Sequence, residues 1–275
     1  MRSSWARQKS LWRGGERRRA STPPANPIPD AANLRAYMEG DNLDGANNST
    51  LLDGDAMASV VNLGTLGGTF TQGTLANRPL FSLTAGPSGT KPALTFDGTD
   101  SLVSSVAAAS WAFLHDGTGA TIYALVKTSA SAEGTLVATS TGGGASIGVI
   151  HRYSAGFAVS YAMNDGVSFK LLATAPAASV TNGSFDMSTS TMAVADTPDL
   201  SLYANGVSVV TANSGGFTAA APAGSLAIGT RAGGTIGVIG SYRRLMVYGV
   251  SHTPAQVAAV LAYMQTLDAV IYPAP

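Results

Sequence analysis

Few side chains in this sequence could move a proton or hold a metal, and they are scattered. Its three histidines, His115, His151 and His252, lie far apart, with no H-E-x-x-H pairing and no phosphate-binding loop. Gly142-Gly-Gly144 reads as a turn rather than a nucleotide cradle, since no helix opens after it. Cysteine is absent, which removes thiolate nucleophiles, thiolate metal sites and disulfides together. Cleaving a glycosidic bond takes two carboxylates about 5–9.5 Å apart, one protonated and one not. Beyond the first twenty residues there are only two glutamates, Glu39 and Glu133, and none of the strands expected below carries two acids. The chain is therefore read as a non-enzyme that needs no cofactor.

Two clusters remain as binding candidates. Asp41, Asp44, Asp53 and Asp55 crowd a Gly- and Asn-rich stretch and would offer the oxygen ligands calcium prefers, although the spacing is not that of an EF-hand. Turn chemistry is the favoured reading, because Asp-Gly steps such as Asp44-Gly45 and Asp53-Gly54 bond their own backbone. Sugar recognition needs an aromatic platform flanked by amide and carboxylate groups. Trp111, Tyr153, Tyr161, Asn164 and Asp165 are the residues that could build one, against the alternative that the aromatics pack inside a sandwich.

The strongest charge signal lies at the N-terminus. The first twenty residues hold Arg2, Arg7, Lys9, Arg13, Arg17, Arg18 and Arg19 against Glu16, a net of +6. The remaining nine basic and fifteen acidic residues leave a body at −6. Trp5 and Trp12 each offer about 150–250 Å² of surface that a partner's groove would cover, so this arm is expected to order on binding. Its partner is an acidic protein surface or a nucleic acid; the protein is favoured, because the body has no further basic stripe and no nucleic-acid-binding motif. The arm runs into proline-rich sequence rather than an apolar segment, so it is not an export signal, and no stretch of about eighteen apolar residues points to a membrane.

What must position these groups is an all-β body. Residues 21–32, with Pro23, Pro24, Pro27 and Pro29, form an extended spacer, and residues 33–275 form one domain. Short apolar runs punctuated by glycine about every ten residues suit a sandwich. Strands are expected at 93–97, 121–127, 134–140, 146–151, 157–163, 191–195, 200–204, 207–210, 225–229 and 241–248. Asn205-Gly206 supplies the two positive-φ positions of a tight hairpin turn. One helix is expected at about 254–268: Thr253-Pro-Ala-Gln256 is a capping box with proline at the first helical position, and Val257, Val260, Leu261, Met264 and Leu267 form its apolar stripe.

The order of motifs adds a family. Leu34-Arg-Ala-Tyr37, Gly40-Asp-Asn-Leu-Asp-Gly45, Pro92-Ala-Leu-Thr-Phe-Asp-Gly-Thr-Asp100, Ala120-Thr-Ile-Tyr-Ala-Leu-Val126, Leu202-Tyr-Ala-Asn-Gly-Val207, Leu226-Ala-Ile-Gly229 and Leu245-Met-Val-Tyr-Gly249 together resemble the laminin-G-like branch of the concanavalin A-like lectin/glucanase superfamily. The resemblance implies a jelly-roll sandwich of two curved antiparallel sheets, with a concave face or rim loops free to bind, and in some relatives calcium at the rim. The E-x-D-x-E pattern of the glucanase branch is missing. With its added arm the chain looks like laminin-G-like domains of tailed-phage virion proteins. That implies a virion location, other virion proteins as partners, a homo-oligomer or symmetric array, and a host glycan as a further ligand.

Overall fold

Short apolar runs between glycine turns leave the chain little helix to make, and it pairs into sheets instead. The computed structural model describes residues 27–129, 133–142, 145–193, 199–213, 216–232 and 234–268. The arm residues Arg2, Trp5, Arg7, Lys9, Trp12, Arg13, Arg17, Arg18 and Arg19 lie outside the described residues. In chain order the strands are β1 (Leu34–Glu39), β2 (Ser59–Val61), β3 (Thr69–Thr71), β4 (Leu80–Ser82), β5 (Ala93–Asp97), β6 (Leu102–Ser104), β7 (Ala120–Thr128) and β8 (Gly134–Ala138). They continue as β9 (Gly148–Ser154), β10 (Ala158–Asn164), β11 (Phe169–Thr174), β12 (Phe185–Met192), β13 (Leu200–Ala204), β14 (Val207–Ala212), β15 (Ala227–Ile228) and β16 (Ile239–Tyr248), before helix α1 (Pro254–Asp268).

These form two eight-stranded sheets. The first runs β14-β13-β12-β7-β16-β5-β4, with β1 also on β16; the second runs β11-β10-β9-β8-β15-β6-β3-β2. Every strand pairing is antiparallel. The long β16 holds the first sheet together: β7 lines one edge, while β5 and then β1 share the other.

Alternation along each strand builds two cores. Between the sheets, Phe70, Phe81, Phe96, Trp111, Tyr153, Tyr161 and Tyr242 belong to one buried cluster. On the far face of the first sheet, Tyr37, Tyr123, Leu125, Met187, Met246 and Tyr248 meet Val257, Val260, Tyr263 and Met264 of α1. The helix therefore serves as a lid on the first sheet. Its capping box forms as the sequence predicts: Thr253 N–H donates to Gln256 Oε1 at 2.9 Å, and Gln256 N–H donates to Thr253 Oγ1 at 3.4 Å. The hairpin β13–β14 turns at Asn205 (φ 49°) and Gly206 (φ 83°), again as expected.

Three expectations need correction. The strand expected at 191–195 is the end of β12, which begins at Phe185; Ser188, Thr189 and Ser190 fill both of its buried faces, so no apolar alternation marks it. The strands β1, β2, β3, β4, β6 and β11 join the sheets without having been anticipated, and four of them are three residues long, too short for a periodic signal. The spacer does not stay extended to its end. Tyr248 Oη donates to the Pro29 carbonyl at 3.0 Å, Asp30 adopts φ 51°, and Ile28 packs on the helix-side core.

Candidate functional site

With α1 on the first sheet, the outer face of the second sheet is the one that carries no helix among the described residues. Register assigns its side chains. Val149 and Tyr153 of β9 and Val159, Tyr161 and Met163 of β10 point into the core, so Ile150 and Arg152, and Ser160, Ala162 and Asn164, point outward. Arg152 stands opposite Ser160 on one side and Thr135 on the other, and Ser160 stands opposite Thr174. The result is a polar row across four strands, in which Thr135 and Ser160 are buried while Arg152 and Thr174 reach the surface. One step along, Ala138, Ile150 and Ala162 form a small apolar cluster beside it.

Charge concentrates at the β8 end of that row. Arg152 Nη1 and Arg231 Nη2 both contact Glu133 Oε1, the latter at 3.0 Å. Arg231 comes from the loop between β15 and β16, which lies beside β8 because Thr135 N–H donates to the Ile236 carbonyl. Both guanidinium groups are about five-sixths buried, with 17% of each side chain exposed. Neither Nε has a partner among the described residues, nor does the buried Thr135 Oγ1. Burial lowers the pKa of Arg152, and the nearby Arg231 charge lowers it further; burial lowers that of Arg231 too. Two cations thus share one carboxylate oxygen.

The residues named for sugar stacking are placed differently. Trp111, Tyr153 and Tyr161 are buried in the inter-sheet core and offer no ring to solvent; the core took them because aromatics bury the most area. Asn164, also buried, donates from Nδ2 to Ser140 Oγ at 3.1 Å and braces the loop before β9. Asp165 closes the next turn by accepting the N–H groups of Val167 and Ser168, which hold its carboxyl at about 2. The platform is therefore withdrawn. A stability contrast checks this: Tyr161→Phe is expected to cost about 1 kcal/mol, because the phenol donates to the Leu114 carbonyl at 3.3 Å. Tyr153→Phe is expected to be neutral or stabilising in the same urea titration, since its buried hydroxyl has no partner among the described residues.

The four calcium candidates do not converge. Asp44 accepts from the N–H groups of Ala46, Asn48 and Thr50 and from Thr50 Oγ1; these bonds outweigh its slight burial and hold its carboxyl at about 2. Asp53 takes Leu83 N–H and Asp55 takes Leu52 N–H, while Asp41 pairs with Arg243. Among the described residues no three metal-ligating side chains gather.

No protein-family model and no curated protein matches the sequence. In structure the chain is similar to domain 4 of AbnA, a GH43 extracellular arabinanase from Geobacillus stearothermophilus, in complex with arabinotriose, at 14% identity and TM-score 0.54 over 83% of this chain and 98% of that one. It is similar to Trypanosoma rangeli sialidase in complex with sialic acid at 12% identity and TM-score 0.53, over 86% of this chain but 34% of the sialidase. Ruminococcus gnavus IT-sialidase CBM40 aligns at 20% identity and TM-score 0.50 over 62% of this chain and 96% of that module. At these identities the likeness is one of fold, and it agrees with the concanavalin A-like sandwich that the motif order implies.

A groove of 290 Å³ on the outer face of the first sheet is lined by Leu75, Arg78, Leu80, Thr95, Asp97 and Asp100. Its acids serve the turn they sit in: Asp100 accepts Asp97 N–H, and Asp97 accepts the N–H and hydroxyl of Thr99. Burial raises the Asp100 pKa and the Thr99 hydrogen bonds lower that of Asp97. The stretch Gly144-Ala-Ser-Ile-Gly148 has the G-x-S-x-G spacing of a hydrolase elbow. Ser146 there is buried, its hydroxyl bonds the hydroxyls of Ser140 and Thr141, and the chain continues into a strand rather than a helix. His252 is buried against Tyr123 and Tyr248, with Nδ1 2.6 Å from Tyr123 Oη and Nε2 3.3 Å from Asp30.

Proposed function

We propose that this chain is a non-catalytic, lectin-like binding module held on a larger assembly by its N-terminal arm. The observation that carries the reading is a division between faces. Pro29 and Asp30 are pinned to Tyr248 and His252 on the helix side of the first sheet, so the arm joins the body there. The Arg152 row lies on the outer face of the other sheet. The first side suits attachment, and on the second the exposed edge of Arg152, Arg231 and Glu133 suits display. The resemblance of the motif order supports a tailed-phage virion as the assembly, with the arm clipped to a neighbouring capsid, neck or tail protein. An extended segment can add to a sheet edge or fill a groove without a large rigid interface.

Deleting residues 1–20 tests the attachment. The truncated chain is expected to keep the urea midpoint of the full chain and to drop out of assembled particles; undiminished incorporation overturns the role given to the arm. If the arm grips nucleic acid instead, the logarithm of affinity falls with that of salt at a slope near −0.9 per phosphate neutralised. For the displayed face the reading is carbohydrate, supported by the fold shared with the CBM40 module and with the arabinanase domain in complex with arabinotriose. Binding of the full-length chain to a glycan array tests it, and silence across the array removes it.

A further inference from the structure

Two arginine pairs in this body differ in how they are neutralised. Arg243 and Arg244 are fully buried and share three carboxylates, Asp268, Glu39 and Asp41. Arg152 and Arg231, which keep an exposed edge, share Glu133 alone. The first arrangement is a closed structural network. The second leaves one positive charge in excess on a body that is otherwise acidic.

Geometry says where that excess can be used. The two guanidinium groups reach Glu133 through one Nη each, so Arg152 Nη2 and Arg231 Nη1 are not committed to a protein acceptor among the described residues. Planar forks of this kind match a carboxylate in two parallel hydrogen bonds. Arg231 is held over the face by its loop, where its Nη1 approaches Gly142 so closely that a Cβ there would sit 2.6 Å away. Beside the pair, the exposed hydroxyl of Thr174, held 3.1 Å from the buried Ser160 hydroxyl, is the kind of group that bonds a sugar hydroxyl.

We propose that Arg152 and Arg231 form an anion subsite that takes the carboxylate of an acidic sugar, with Glu133 as the internal counter-ion that such a ligand displaces. This rests on the carbohydrate reading of the displayed face. The ligand's carboxylate takes the free Nη edges, and Glu133 relaxes toward solvent, where a third of its side chain already lies.

The test uses the full-length chain and three matched probes: oligosaccharides ending in glucuronic or sialic acid, the neutral parent sugars, and the methyl esters of the acids. An acidic probe is expected to bind, and esterification to weaken it by about tenfold or more. Arg231→Gln and, separately, Arg152→Gln are expected to weaken the acid by about ten- to a hundredfold while leaving the thermal midpoint close to that of the parent. Glu133→Gln carries the opposite sign: with the competing carboxylate gone, the acid should bind several-fold tighter. A merely structural cluster would give losses in all three variants, and that result overturns the subsite. Equal binding of acid, ester and neutral parent overturns it while sparing the carbohydrate reading. Failure of the folded parent chain to bind any sugar removes both.

Discussion

Asp268→Ala is expected to destabilise the protein by about 3–5 kcal/mol, because it strips the shared carboxylate from two fully buried arginines. Consecutive strand residues normally face opposite sides, but the register of β16 shifts between Tyr242 and Arg244, and Arg243 and Arg244 both reach Asp268. Arg243 donates from Nε to Asp268 Oδ1 at 3.1 Å, and Arg244 from Nη1 to Oδ2 at 3.0 Å. Each arginine then holds one acid from the β1 end of the sheet: Arg244 takes Glu39 at 2.8 Å, and Arg243 takes Asp41. Glu39 in turn accepts Tyr37 Oη at 2.6 Å. Asp268 ends α1, so this network pins the last turn of the lid to the sheet, and cations there also favour the helix C-terminus. Urea titration measures the loss. Replacing the network together, Arg243→Met, Arg244→Met and Asp268→Leu with Glu39→Gln so that the mostly buried Glu39 is not left as an unpaired charge, should recover part of it, since a packed apolar group escapes the desolvation cost of a buried ion pair. A loss under about 1 kcal/mol for Asp268→Ala would show that the arginines rehydrate freely and that the network does not hold the lid.

How far the sequence discloses this architecture depends on the range of the signal. The turn at Asn205-Gly206 and the capping box at Thr253–Gln256 are written within four residues, and both form as read. Even there a longer reach is hidden, for the Asn205 side chain also accepts Met187 N–H and donates to Asp186 on the neighbouring strand. Strand β12 is silent because serine and threonine fill buried positions that apolar residues usually mark. The aromatic candidates failed for a related reason: spacing shows that Tyr153 and Tyr161 sit on strands but not which sheet face meets the other sheet, and they share the inward face with Val149 and Val159. Glu133 and Arg231 are ninety-eight positions apart and meet only because β15 inserts between β8 and β6, a pairing no local pattern announces. The same holds for Arg244 with Glu39.

Acid should weaken the fold well above the ordinary carboxylate range, and His151 is the group that decides it. His151 is fully buried between the sheets, shares a 2.7 Å hydrogen bond between Nε2 and Ser188 Oγ, and has no partner at Nδ1 among the described residues. Burial pushes its pKa down from 6.5 to about 3. The folded protein therefore refuses a proton that the unfolded chain accepts below its ordinary value. Stability is complete above about pH 6.5 and falls by about 1.4 kcal/mol per pH unit below it, a loss of about 3 kcal/mol by pH 4. His115 and His252 are shifted in the same direction by burial, the latter opposed by Asp30. Among the acids, the lowered pKa values of Asp44, Asp97 and Asp165 lose stability only below their ordinary 3.8, whereas Asp100 and Asp186, raised by burial, gain some as the pH falls. The loss of stability on acidification from about pH 6.5 to 4.5 thus belongs to the histidines, because the raised acids act with the opposite sign. Urea midpoints taken at intervals from about pH 8 to pH 4 should trace this slope, and His151→Gln, which keeps a polar group for Ser188 but cannot charge, should flatten it. An unchanged slope in that variant would move the proton uptake elsewhere and mean that His151 is not the neutral, water-excluded group between the sheets that its packing implies.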